Sequence, residues 1–415
     1  MSYKIVVVNI GSELLSGRTL NSNLVFIGNK LSVIGLEISE VHIIPDEKVS
    51  ILNILQNVWV DSVILIITGG LGPTPDDITR GSISEFFDKK LIYHDEIYIE
   101  IEKRFKLRGM DVPETNKVQA FVPEGFIVLE NSLGTAPGMY YHESGSERHL
   151  FCLPGVPFEM EHLFNLHVLK FISDMGLVND YFCKDINTYG ISESLLAEKM
   201  QGLIYKNGVN IAWLPKIGRV DIRISGIDIV ACEKVFTQIC EDLKEYIWGV
   251  NESSPVDMLH RVIRSLAVAS YSPTGTISVA ESCSGGMLAS LITKNSGASA
   301  YFKGGVVAYS NESKVELLGV PVEVIEKHGA VSEEAALAMV KGCYERFKSD
   351  ICVSVTGIAG PDGGSDLKPV GTVYFGLKLF DEIFVEQCYF TGTREVIRVK
   401  CCDWMVLKVL GLIWT

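Results

Sequence analysis

The sequence predicts an α/β protein: two alternating strand and helix units with a small α+β unit between them. Three observations predict it. Short apolar runs alternate with stretches of helical periodicity near both ends of the chain. The pattern changes around Val168 to Leu177 and becomes a shorter mixed unit before the alternation resumes. Glycine-rich turns follow several of the apolar runs, where open α/β sheets bind their ligands. A chain of 415 residues suits two to four domains of roughly 100 to 200 residues each. The expected boundaries are 1–170, 171–250 and 255–415.

The first unit opens with a strand at Ile5 to Ile10. A helix follows, in which Leu24, Ile27, Leu31 and Ile34 recur at spacings of 3, 4 and 3. A strand (Ile38 to Ile44), a helix (Val49 to Trp59) and a strand (Ser62 to Thr68) come next. Such alternation is the signature of a mostly parallel sheet with helices on both faces. The middle unit reads as a strand (Lys184 to Tyr189), a helix (Ser194 to Leu203), strands (Asn210 to Trp213, Val220 to Ser225) and a helix (Ala231 to Tyr246). Trp248 to Pro255 reads as a linker because of Gly249, Asn251, Ser253 and Ser254. A helix from Val256 to Ala267 then leads into the second alternating unit.

Composition narrows the function. With 47% hydrophobic and 21% charged residues the chain can bury ordinary cores. Its formal charge of -14 opposes a general attraction to nucleic acid or to anionic membrane, so any phosphate must be held locally. Mean hydropathy is +0.24, yet the run Val63 to Thr68 stops at Gly69-Gly70, far short of the ~20 residues that span a bilayer. The N-terminus lacks a cleavage-like site, so a cytoplasmic protein is expected. Ten cysteines, none in a C-x-x-C pair, are expected to be mostly reduced core residues.

In the last unit, Thr276 to Gly286 is an apolar strand, a polar turn with Ser282, Cys283 and Ser284, two glycines (Gly285, Gly286) and then a helix from about Met287. Unpaired amides at a helix start, approachable because of the glycines, suit an anion or an oxyanion. Tyr309 and Lys314 follow, and a lysine can serve a serine as base if burial or a neighbouring cation lowers its pKa. The competing reading makes Ser282 and Ser284 helix caps and Lys314 a solvated lysine. The loop Thr356-Gly357-Ile358-Ala359-Gly360-Pro361-Asp362-Gly363-Gly364 favours chemistry, because it is a second glycine-rich turn after a strand and fits a backbone cradle for phosphate.

In the first unit, Gly69-Gly70-Leu71-Gly72-Pro73-Thr74-Pro75-Asp76-Asp77 lies between a strand and a helix. Asp46 follows the preceding strand, so Asp46 and Asp77 are candidates to share a divalent cation with a pyrophosphate. Asp77 as a helix cap and Asp46 as an ordinary turn residue remain open alternatives.

These segments carry a resemblance. Ala280 to Gly286, Gly304 to Glu312, His328 to Ser332, Thr356 to Gly364 and Lys368 to Val373 resemble the CinA C-terminal domain, with Ser284 where that family usually has threonine. The resemblance implies a nicotinamide-nucleotide amidase, which converts nicotinamide mononucleotide to nicotinic acid mononucleotide and ammonia without a cofactor. It implies Ser282 as nucleophile, Lys314 as base and Tyr309 as a hydrogen-bonding helper. Ser284, Gly285, Gly286, Thr356, Gly357 and Arg394 are implied on the substrate. Gly11 to Leu15, Thr68 to Thr79, Asn131 to Gly138 (with Gly134 and Thr135) and Leu153 to Met160 resemble the N-terminal domain of full-length CinA. That domain is similar to a three-layer molybdopterin-binding fold, and in some members it hydrolyses ADP-ribose with a divalent metal. Gly190 to Ser194 of the middle unit is also CinA-like but shows no chemistry. The expected N-terminal site is Asp46, Gly69, Gly70, Gly72, Asp76, Asp77, Gly134 and Thr135, with Asp46 and Asp77 on the metal.

The expectation is therefore a two-site enzyme of pyridine-nucleotide recycling that binds small nucleotides as a homo-oligomer, a dimer. Two alternatives stand beside it: an N-terminal domain that only binds a pterin or nucleotide, and a non-catalytic adaptor in competence or DNA damage.

Overall fold

A computed structural model describes residues 3–177, 180–201, 208–252, 254–268 and 275–413. The chain divides into two compact units, Met1–Cys183 with Ser225–Ile229, and Lys184–Ile224 with Val230–Thr415.

The first unit is built on strands β1 (Ile5–Ile10), β2 (Glu40–Ile44) and β3 (Ile64–Thr68). A separate short pair follows, β4 (Leu91–Tyr93) and β5 (Phe121–Pro123), and then β6 (Ile127–Leu129), β7 (Gly138–His142) and β8 (His149–Leu153). The main sheet runs β2-β1-β3-β8-β7-β6. Its first four strands are parallel, and β7 and β6 close it antiparallel. Every residue of β1 is buried because both faces are covered. Val6 and Val8 pack with Ile51 and Leu55 of the helix Lys48–Val58, while Ile5 and Val7 pack with Ile27 and Leu31 of the helix Ser22–Val33. Asn21 starts the latter, its Oδ1 accepting the Leu24 amide at 3.1 Å. The second strand begins at Glu40 rather than Ile38, because Ile38 packs beside that helix instead. Helical structure runs on through residue 170, as Pro157–Leu163, a π-turn at Phe164–Val168 and Leu169–Asp174.

The second unit holds two sheets. The smaller runs β10-β11-β9-β12, from β9 (Phe182–Thr188), β10 (Asn210–Lys216), β11 (Arg219–Gly226) and β12 (Ile247–Val250). Its helices are Glu193–Lys199 and Ile229–Asp242. Residues 202 and 203 of the expected helix Ser194 to Leu203, and Ser253 of the expected linker, lie outside the described residues. Trp248 to Val250 is strand rather than linker, since β12 pairs antiparallel with β9.

The larger sheet runs β14-β13-β15-β16-β17. Its strands are β13 (Ile277–Glu281), β14 (Phe302–Val307), β15 (Ile351–Gly357), β16 (Thr372–Leu379) and β17 (Glu382–Tyr389). The first three are parallel, so their carboxyl ends lie together. Helices Pro255–Val268, Met287–Ile292 and Arg394–Ile413 cover one face, where Val279 is buried. Helices Asn311–Leu318, Val322–His328 and Glu333–Phe347 cover the other, where Ala280 is buried. Among the described residues no helix is long and apolar enough to cross a membrane. All ten cysteines are free thiols, seven of them buried.

Candidate active site

The end of β13 delivers Ser282 to the shared edge. Its amide donates to Val355 O of β15 at 2.9 Å, and the Ala308 amide, just past β14, donates to Glu281 O at 2.8 Å. Lys314 reaches the same place from one turn inside the helix Asn311–Leu318, which Ser310 caps by accepting the Ser313 amide at 3.1 Å. Lys314 Nζ lies 3.1 Å from Ser282 Oγ, 3.0 Å from Ala308 O, 3.1 Å from Tyr309 O and 3.4 Å from Ser310 O. Ser282 is 7% exposed and Lys314 only 2%. Burial pushes the Lys314 amine below its ordinary value, against the pull of Cys283 and Glu312. Of the two causes expected from sequence, burial or a neighbouring cation such as Arg394, it is burial that lowers this pKa. In its neutral form the amine has two protons for the nearer two of these three carbonyls and a lone pair for the serine hydroxyl.

The turn after Ser282 differs from expectation. Gly285 and Gly286 take φ values of +60 and +91, the left-handed region that favours glycine. Their amides are already engaged: Gly285 N–H donates to Ser282 O at 3.0 Å and Gly286 N–H to Glu281 Oε2 at 2.9 Å. The two glycine amides are therefore not open to a ligand. Those of Cys283 and Ser284 donate to no acceptor on another described residue. Ser284 is fully buried, and its hydroxyl has no partner among the described residues, so it lines no open surface. Its carbonyl accepts from Arg398 Nη2 at 2.8 Å. Cys283 points into the core with Cys401 and Cys402.

Arg394 donates from Nη1 to Gly360 O at 2.7 Å and from Nη2 to the Tyr309 hydroxyl at 2.6 Å. Tyr309 is 56% exposed and meets Arg394 rather than Ser282. Thr356 is buried, its hydroxyl donating to Ala330 O at 2.7 Å, which directs that proton away from a ligand. A Cβ on Gly357 would sit 2.7 Å from Val373 Cγ2, so strand packing alone accounts for that glycine. Sequence reasoning missed Arg398 and Glu281. The signal for Arg398 was its place one helical turn after Arg394.

In the first unit, Asp46 Oδ2 accepts the Ser12 amide at 2.8 Å, and Asp77 Oδ2 accepts the Thr74 amide at 2.8 Å and the Thr74 hydroxyl at 2.5 Å. Each aspartate is thus held by one oxygen, Asp77 in a local turn and Asp46 by a residue 34 positions away. Asp76 is exposed, and the Thr74 hydroxyl keeps its carboxyl low. Gly69 and Gly70, at φ +103 and +68, press against Ile10 O and the Thr79 hydroxyl, which excludes any side chain there. Gly72 lies against the Asp77 carboxylate and Gly134 against that of Glu159. Thr135 is half-buried in the same loop as Gly134. Glu159, also missed from sequence, accepts from Asn131 Nδ2 at 2.6 Å, and burial raises its pKa. Under the glycine turn lies the buried Arg80, donating to Leu71 O at 3.0 Å, its pKa lowered to about 10 by burial. No three His, Cys, Asp or Glu residues converge as a metal site among the described residues.

Comparison with known proteins agrees with this layout. The CinA C-terminal domain matches residues 260–411, the damage-inducible protein CinA KH domain residues 183–249, and the probable molybdopterin binding domain residues 6–174. A CinA-like protein of Kosmotoga olearia is 39% identical over 95% of this chain and 95% of its own. A CinA-like protein of Dictyoglomus thermophilum is 35% identical, again over 95% of both chains.

Proposed function

The chain belongs to the CinA family, and from that premise we propose that its C-terminal domain is a nicotinamide-nucleotide amidase of the serine and lysine type. One observation carries the reading: a buried amine 3.1 Å from an equally sheltered serine hydroxyl. Lys314 takes the Ser282 proton, and Oγ attacks the carboxamide carbon of nicotinamide mononucleotide. The oxygen charge of the tetrahedral intermediate falls to the Cys283 amide, which donates to no other described residue. Lys314 returns its proton to the departing ammonia. Water then attacks the acyl-serine, with Lys314 again as base, and releases nicotinic acid mononucleotide. Arg394, fixed by Gly360 O and Tyr309, supplies the charge for the substrate phosphate. The test is incubation of the purified protein with nicotinamide mononucleotide while ammonia and the acid product are assayed. An absence of both at high enzyme concentration overturns the reading.

A second activity, in the N-terminal domain, is favoured by Asp77, which keeps one uncommitted oxygen beside the glycine turn, and by Asp46, which keeps one just past β2. Two carboxylates without a third protein ligand fit a cation that completes its shell with water and phosphate oxygens. Asp46 and Asp77 would hold it, and when bound it would supply charge neutralisation on a pyrophosphate such as that of ADP-ribose. Release of AMP from ADP-ribose in the presence of magnesium, manganese or cobalt tests this.

A further inference from the structure

Glu281 is a fully buried carboxylate that makes no ion pair among the described residues. It folds forward from the last position of β13. There Oε2 accepts the amides of Gly286 at 2.9 Å and Leu288 at 3.0 Å, and Oε1 accepts that of Ala289 at 2.8 Å. Capping alone does not require this. The helices Asn311–Leu318 and Glu333–Phe347 of the same domain start on the hydroxyls of Ser310 and Ser332, without a buried charge. A charge removed from water needs compensation, and here three backbone amides provide it.

We propose that Glu281, opposed by Arg398, is a positioning residue that clamps the nucleophile turn. The proposal rests on the amidase reading above. The carboxylate holds the amide side of the turn, and Arg398 Nη2 holds the carbonyl side at Ser284. Residues 282–285 are thereby fixed between a buried anchor, Glu281, and a half-buried one, Arg398. The backbone of Glu281 extends the clamp to the base: its carbonyl accepts the Ala308 amide, and Ala308 O in turn accepts from Lys314 Nζ. One residue therefore sets both partners of the 3.1 Å contact. It also takes up the Gly286, Leu288 and Ala289 amides, leaving that of Cys283, beside the nucleophile, for the developing oxyanion.

The test uses the full chain with two readouts: steady-state turnover of nicotinamide mononucleotide, and the rate at which a fluorophosphonate probe labels Ser282. In Glu281→Gln, one amide hydrogen must face a backbone N–H, so the clamp opens while the shape is kept. A loss of about 100-fold in kcat is expected from the misplaced nucleophile, with KM within about threefold of wild type. Labelling is expected to slow in parallel. Glu281→Ala is expected to regain part of its activity with added formate and none with formamide. Wild-type kcat in Glu281→Gln, or a loss that only follows the unfolded fraction seen by circular dichroism, overturns the proposal. If Glu281→Gln does not fold, Arg398→Gln takes its place. Slower turnover and labelling are expected there, and unchanged rates overturn the clamp. Should the wild-type chain label at Ser282 but release no ammonia, the amidase reading fails, and the labelling rates still decide the role of Glu281.

Discussion

Lys314 Nζ faces Ser282 Oγ at 3.1 Å, and both atoms are shielded from water at the shared carboxyl edge of β13, β14 and β15. The two residues stand 32 positions apart, and the parallel pairing of β13 with β14 brings them together. A solvated lysine would stay protonated at neutral pH. This one loses its hydration shell, which makes a neutral amine accessible.

Ser282→Ala removes the nucleophile and is expected to lower ammonia release by on the order of 1,000-fold or more. Folding, followed by circular dichroism, is expected to be unchanged. Cys283→Ala is expected to be mild in activity, because that thiol points into the core with Cys401 and Cys402. Its loss costs about 1 kcal/mol of stability, readable in urea denaturation. An essential Cys283 with a dispensable Ser282 would replace the mechanism by thiol chemistry.

Burial lowers the Lys314 pKa from 10.5, so activity is expected to rise with pH to an apparent pKa below that value. Stability moves in the same direction. Between the folded and the ordinary lysine pKa the unfolded chain binds more protons, so stability rises with pH in that window, and below it the buried charge is a constant cost. Wild type is therefore expected to gain on Lys314→Met as pH climbs towards 10.5, measured as the difference in urea unfolding free energy. Lys314→Arg keeps a charge that cannot act as a base, and near-normal turnover in it would remove Lys314 from the mechanism.

The serine was legible in the sequence because it lies just past an apolar strand in a glycine-marked turn, and the lysine only as a candidate base that follows it, one turn inside a helix. Which amides face a substrate was not legible. That depends on Glu281, a residue indistinguishable in sequence from the last polar position of a strand, folding forward onto Gly286. Ser284 and Thr356 read as site hydroxyls for the same reason that Ser282 did, and only packing shows them turned inward. In the first unit the strand alternation announced the sheet. The bond of Asp46 with Ser12, 34 positions away, and the local bond of Asp77 with Thr74 required backbone geometry that composition does not encode.

Arg394 is held by a neutral carbonyl and a tyrosine hydroxyl, so its charge is not neutralised by a described carboxylate. Arg394→Ala is expected to raise KM for nicotinamide mononucleotide by about 10-fold or more, the scale of one lost charge-assisted hydrogen bond. Nicotinamide riboside, which has no phosphate, is expected to be affected much less. Tyr309→Phe, which leaves the guanidinium but frees one end of it, is expected to fall between. Equal losses on both substrates would show that Arg394 does not read the phosphate.

Asp77→Asn separates the two proposed activities. The Asp77 oxygen that accepts from Thr74 N and Oγ1 has an equivalent in the asparagine carbonyl, so the turn is expected to survive while the negative charge is lost. A divalent cation held by carboxylates is then weakened, and metal-dependent cleavage of ADP-ribose is expected to fall at least ~10-fold. Deamidation of nicotinamide mononucleotide is expected to stay at the wild-type rate, because Ser282 and Lys314 belong to the other compact unit. Titrating magnesium, manganese and cobalt adds a second measure: the variant is expected to need more metal for half-maximal rate. If wild type cleaves no ADP-ribose with any of the three, the N-terminal domain is better described as a binding module. If Asp77→Asn lowers both activities without unfolding, the two sites communicate, and their independence has to be abandoned.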